Sequence, residues 1–122
     1  MTTLKIWLDD DHNGMRPKPE DYTHHVHNMA EFQALLDQGF DEIEKMSFDN
    51  DLGEPIEGKH IMKWLSGRVM ETGDLKWWPK RIRIHSHNEI AKWDMKALIR
   101  NFHETVIDRF DDWKKETGFM TK

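Results

Sequence analysis

The chain has 122 residues, enough for one domain with a real core and little room for a second. Its balance of 18 Lys and Arg against 23 Asp and Glu, net −5, excludes a generic nucleic-acid coat that works by neutralising phosphates. The absence of cysteine excludes disulfide and thiolate chemistry, and no apolar run approaches the roughly 20 residues of a membrane span. Charged residues make up 34% of the chain, and six Trp and six Phe supply the bulk that a small core needs. Met1-Thr2-Thr3-Leu4 leads almost directly into a strand and leaves no space for a signal peptide, so a cytoplasmic single domain is expected.

Leu4-Lys5-Ile6-Trp7-Leu8 is the first predicted strand and runs into Asp9-Asp10-Asp11. A polar loop follows through His12-Asn13-Gly14 and Arg16-Pro17-Lys18-Pro19, and Asp21 to His27 fits neither period clearly. Asn28, with Glu31 three residues on, marks a helix start. Met29, Phe32, Leu35 and Leu36 form its apolar face, and Gly39 stops it. A second strand from about Ile43 to Phe48 ends in Asp49-Asn50-Asp51-Leu52-Gly53. Helix two spans about Lys59 to Glu71, with Gly73 as its C-cap. Trp77-Trp78-Pro79 connects to a third strand, Arg81 to His85, which opens into Ser86-His87-Asn88. The last helical pattern starts near Trp93 with Met95, Leu98, Ile99, Phe102 and Val106 as its stripe. It either continues through Phe110 and Trp113 or breaks near Thr105.

Strands alternating with helices predict an α/β three-layer fold: a parallel sheet with right-handed crossover helices, three strands being clear. In such a sheet all strand C-termini share one edge, where ligands bind. Three clusters far apart in sequence would therefore meet there. Asp9, Asp10 and Asp49 are candidate ligands of Mg²⁺ or Mn²⁺, because paired carboxylates need a cation or a proton to relieve them. Solvated acidic turns would read the same way. The calcium-loop spacing fails, with Gly53 fifth and His60 twelfth from Asp49. His85 is the candidate acid or base, with Asp49 and Asp51 beside it. Ser86, Asn88 and Asn50 offer polar groups to phosphate oxygens, and Arg16 offers a bidentate clamp. Asn88 reads equally as a helix N-cap. His24, His25 and His27 lack zinc-ligand spacing, and Trp77-Trp78 read as packing rather than a base-stacking platform. Lys76, Lys80, Arg81 and Arg83 form a local basic patch, not an extended nucleic-acid groove.

Leu8-Asp9-Asp10 with Arg16-Pro17, Ser47-Phe48-Asp49-Asn50-Asp51-Leu52-Gly53, and His85-Ser86-His87-Asn88 with Met95 resemble the cyclic-phosphate-processing receiver domain family over about residues 4–100. Trp64 fits as well. The segment of about 101–118 would be a helical extension of the same domain. The resemblance implies a reduced receiver-like, flavodoxin-type fold and the processing of cyclic phosphates in RNA repair and biological conflict. It assigns Asp9, Asp10, Asp49, Asp51, His85 and Asn88 to the pocket. Asn50 departs from the pattern, standing where the family usually has histidine. The expectation is metal-assisted hydrolysis of a cyclic nucleotide or a 2′,3′-cyclic RNA end. The alternatives are a module that binds a phosphate-bearing nucleotide or a partner protein without turnover, or an interaction domain using its last helix.

Overall fold

The computed structural model describes residues 2–11, 17–52 and 57–119. Four strands, β1 (Thr3–Leu8), β2 (His24–Val26), β3 (Glu42–Phe48) and β4 (Arg81–Ile84), form one parallel sheet in the order β2-β1-β3-β4. This is the flavodoxin-type strand order without a fifth strand among the described residues. Helices α1 (Met29–Asp37) and α2 (Gly58–Thr72) make the crossovers into β3 and β4. Helix α3 (Glu89–Thr105) follows β4, and α4 (Phe110–Glu116) follows a 3₁₀ turn at Ile107–Arg109.

β2 is the strand that the sequence left undecided. Three residues are too few to show an alternating pattern, and its pairing of His24, His25 and Val26 with Ile6, Trp7 and Leu8 is a tertiary fact. It occupies one edge of the sheet and β4 the other. β3 looks irregular in sequence because its inward residues, Ile43, Met46 and Phe48, are not evenly spaced. A register shift against β1 between Leu4 and Lys5 absorbs the extra residue and keeps all three in the core.

Leu4, Ile6 and Leu8 of β1 meet Phe32 of α1, Leu65 of α2 and Met95 of α3 in a single core. Each such fully buried side chain contributes about 1.5–3 kcal/mol. The opposite face carries Trp7 and Ser47, both buried. The connection from β1 to β2 carries no helix among its described residues, and its Tyr22 lies edge-on against Trp7 with ring centroids 5.3 Å apart.

The predicted helix signals hold with small shifts. Asn28 caps α1 by accepting from the Glu31 N–H at 2.9 Å, while Glu31 accepts from His27, one residue earlier than a regular capping box requires. Gly73 ends α2 in the left-handed conformation at φ 64°. The last helix starts at Glu89, earlier than its apolar stripe suggests, because the first turn exposes Ile90 and Trp93 to solvent. It breaks after Thr105, so the second of the two alternatives for the C-terminal segment is the one observed. No helix among the described residues is long and apolar enough to cross a membrane.

Candidate functional site

The three clusters meet because of one repeated backbone detail. Asp9, Asp49 and His85 are each the first residue past a strand, and each donates its N–H to the last carbonyl of the neighbouring strand. Asp9 bonds Val26 at 3.0 Å, Asp49 bonds Leu8 at 3.0 Å and His85 bonds Phe48 at 2.9 Å. The ladder thus continues one rung beyond the sheet and fixes the three residues side by side. Alternation places them on the face that carries Trp7, Ser47 and Arg83, which stand in register across β1, β3 and β4.

Asp9 is fully buried and Asp49 is 8% exposed. The Asp9 Oδ2 lies 3.2 Å from His85 Nε2, and its Oδ1 accepts from the Asp11 N–H at 3.0 Å. One ligand atom each from Asp9, Asp49 and His85 can be chosen so that all lie within 4.8 Å of one another. Two carboxylates and an imidazole at that separation are a donor set that could hold a divalent cation, and His85 carrying a proton would relieve the same repulsion.

His85 is held on three sides. Its ring stacks on the Trp7 indole with centroids 3.8 Å apart and planes within 5°, and its Nδ1 lies 2.6 Å from the Ser47 hydroxyl. A carboxylate only accepts, so the neutral ring that donates from Nε2 to Asp9 must accept from Ser47 at Nδ1. In the other tautomer Nδ1 donates to Ser47 and the Nε2 lone pair faces the carboxylates. The serine hydroxyl serves both states because it donates as readily as it accepts. Neither Trp7 nor Ser47 was assigned a role from sequence. The available signal was an indole and a hydroxyl at strand positions whose neighbours, Ile6, Leu8, Met46 and Phe48, point the other way into the core.

A cleft of about 470 Å³ opens in front of this group, lined by Asp10, Asp49, Asp51, His85, Ser86, His87 and Asn88. Of the expected cation ligands, Asp10 lines the cleft but lies outside the group of three in which His85 is found. Asn88 is the N-cap of α3: its Oδ1 accepts from the Ala91 N–H at 3.1 Å, and its own N–H donates to Ser86 Oγ at 3.1 Å. The helix therefore begins on the cleft wall, where its first N–H groups and positive dipole end favour an anion.

Asn50 is placed elsewhere. It does not line the cleft. Its Nδ2 donates to Glu57 at 2.6 Å and its buried Oδ1 finds no hydrogen-bond partner among the described residues. It ties the end of β3 to the start of α2, so the expectation that it holds phosphate has no geometric support. Arg16, His12, Gly53 and Pro55 lie outside the described residues. His25 is more than a surface histidine: its Nε2 lies 2.8 Å from the Asp9 carbonyl oxygen and its ring stacks on His27. Trp77 and Trp78 pack as expected, Trp77 against Phe40 and Trp64, and Trp78 against Phe102.

The sequence model of the cyclic-phosphate processing receiver domain matches residues 4–101, most of the chain and all four strands. No curated protein and no solved structure matched in the corresponding comparisons. The chain belongs to the cyclic-phosphate processing receiver domain family.

Proposed function

As a member of that family the chain, we propose, is a metal-assisted phosphoesterase that opens a cyclic phosphate, on a nucleotide or on a 2′,3′-cyclic RNA end. The observation that carries the reading is the convergence of Asp9, Asp49 and His85 within 4.8 Å at the mouth of a cleft whose far wall is a helix N-terminus. Asp9 and Asp49 are the residues that would hold a cation, with Nε2 of His85 as third donor and Asp10 and Asp51 on the cleft walls. Carboxylates suit Mg²⁺ and Mn²⁺, whereas an imidazole ligand tilts the choice toward Mn²⁺. When bound, such an ion polarises the phosphoryl group and lowers the pKa of its water.

The remaining work falls to the chain's own side chains. Ser86 O–H, the Asn88 amide and the first N–H groups of α3 hold the non-bridging oxygens. His87, exposed on the cleft wall, is the imidazole placed to hand a proton to the leaving oxygen when His85 serves as a ligand. Trp7 and Ser47 keep the His85 ring in one orientation, so that its nitrogen meets the cation or the proton without a rotamer search.

A second reading has one specific observation in its favour. Asn50 replaces the histidine usual in the family and faces away from the cleft, which suits a module that captures a phosphate-bearing nucleotide without turnover. One experiment separates the two. Purified protein is offered a 2′,3′-cyclic nucleotide and a small panel of other cyclic nucleotides with Mg²⁺, with Mn²⁺ and with EDTA, alongside Asp49→Asn and His85→Ala. Product that requires Mn²⁺ and vanishes in both variants supports the enzyme. A rise in melting temperature with ligand but no product supports the binding module. No product and no thermal shift with any ligand refutes both.

A further inference from the structure

On the sheet face that carries the site, the strand cations have carboxylate partners with one exception. Lys5 and Arg81 share Glu44, at 3.6 Å and 3.2 Å, and Lys45 pairs with Asp21. Arg83 is exposed, and no hydrogen bond or ion pair engages it among the described residues. It sits two residues before His85, which continues the ladder just past β4, hence on the same face and about 6.7 Å away along the strand direction. A hollow of about 180 Å³ borders it, with Tyr22, Lys45 and Arg81 among its walls. Among the described residues Arg83 has no ion-pair or hydrogen-bond partner, and a guanidinium beside the cleft is suited to bidentate contact with a phosphate.

We propose that Arg83 forms a second phosphate subsite, so that the preferred substrate is a nucleotide chain whose cyclic terminal phosphate enters the cleft while the adjoining phosphodiester rests on Arg83. This rests on the cyclic-phosphate reading and adds the substrate class to it. The spacing of Arg83 and His85 along β4 is comparable with that of successive phosphates in an extended single strand. Arg83 itself is exposed on this face and so open to such a contact.

The test compares a 2′,3′-cyclic mononucleotide, the dinucleotide with the same cyclic end, and that dinucleotide with an uncharged methylphosphonate linkage. The readout is kcat/KM where product forms and Kd where the ligand only binds. The proposal expects the charged dinucleotide to be favoured over the mononucleotide by about tenfold, the scale of one charge-assisted contact. The uncharged linkage should lose that advantage. Arg83→Gln should bring the ratio to about one and Arg83→Glu below it, while the exposed α3 change Arg100→Gln should leave the ratio as it was. Equal preference for mono- and dinucleotide in the wild type overturns the subsite. So does a preference that survives Arg83→Gln, or one that Arg100→Gln abolishes equally. Failure of every ligand to bind or react is a different result: it removes the cyclic-phosphate reading itself, and this inference falls with it.

Discussion

Two glycines of α2 should respond in opposite directions to the same substitution, and the difference is read from the contact that builds the site. A Cβ added at Gly58 would stand 2.1 Å from the Asp49 carbonyl oxygen, 3.0 Å from its carbon and 3.1 Å from Asn50 Cα. All three neighbours are backbone, so no side-chain rotation relieves the clash. The helix start has to move away from the end of β3, which overpacks the junction at about 1–3 kcal/mol. It also strains or breaks the 2.9 Å bond from the Gly58 N–H to the Asn50 carbonyl, worth about 1 kcal/mol. Gly67 lies in the same helix with nothing within 4 Å of the position a Cβ would take. Alanine there gains about 0.5–1 kcal/mol from helix propensity and a less flexible unfolded chain. In a domain of this size roughly 1 kcal/mol moves the melting temperature by about 3–5 °C. Gly58→Ala should therefore melt roughly 5–15 °C below the wild type, and Gly67→Ala a few degrees above it, by calorimetry or circular dichroism. Because Gly58 leans on Asp49, the first variant should also weaken any Mn²⁺-induced rise in melting temperature, while the second keeps it. A Gly58→Ala protein as stable as the wild type would refute the contact between α2 and the Asp49 backbone, and with it the account of how that carboxylate is held.

Ser47→Ala removes the hydroxyl that meets His85 Nδ1 at 2.6 Å and leaves a largely buried ring nitrogen without that partner, a loss of about 1–3 kcal/mol in urea unfolding. Ser47→Thr, which retains the hydroxyl, should recover part of that loss; equal losses in the two variants would mean the hydroxyl itself is not what matters. At the other end of the sheet the ammonium of Lys80 and the hydroxyl of Thr3 hold the Glu42 carboxyl below its ordinary range. A carboxyl depressed in the folded state stabilises above its unfolded pKa, and that contribution is lost as pH falls through the folded value. Glu42→Gln should therefore be slightly less stable than the wild type near pH 7, with the two melting curves converging below about pH 4. A gap that persists undiminished at low pH would argue against the ion pair as its origin.

Much of the fold was written in local signals. Asn28, Gly39, Gly73 and Asn88 are caps whose chemistry acts within a turn of where they stand, and all four occur where helices begin or end. β1 and β4 could be read because their pairing requires no interruption of the alternation. β2 could not, since a three-residue strand exists only through its neighbour, and the start of α3 was marked by its cap, Asn88, but not by the apolar stripe, because the exposed first turn carries none. In each case the hidden feature depends on a partner distant in sequence.

The site divides along the same line. Residues that come together through strand ends were legible, since a parallel sheet brings its C-termini to one edge whatever the side chains. What a given side chain does at that edge was not, because orientation depends on the local ladder. Asn50 shows the limit: it lies between two residues of the cleft wall, yet a single residue's offset turns its amide to Glu57 and away from the cleft. Trp7 and Ser47 show the converse. Trp7 was not singled out and Ser47 only opened a motif without a role of its own, and they touch His85 because β1, β3 and β4 run in register. The His85 imidazole is thus held by two residues that reach it through strand pairing, and any variant that slips the register by one residue should lose this arrangement before it loses the fold.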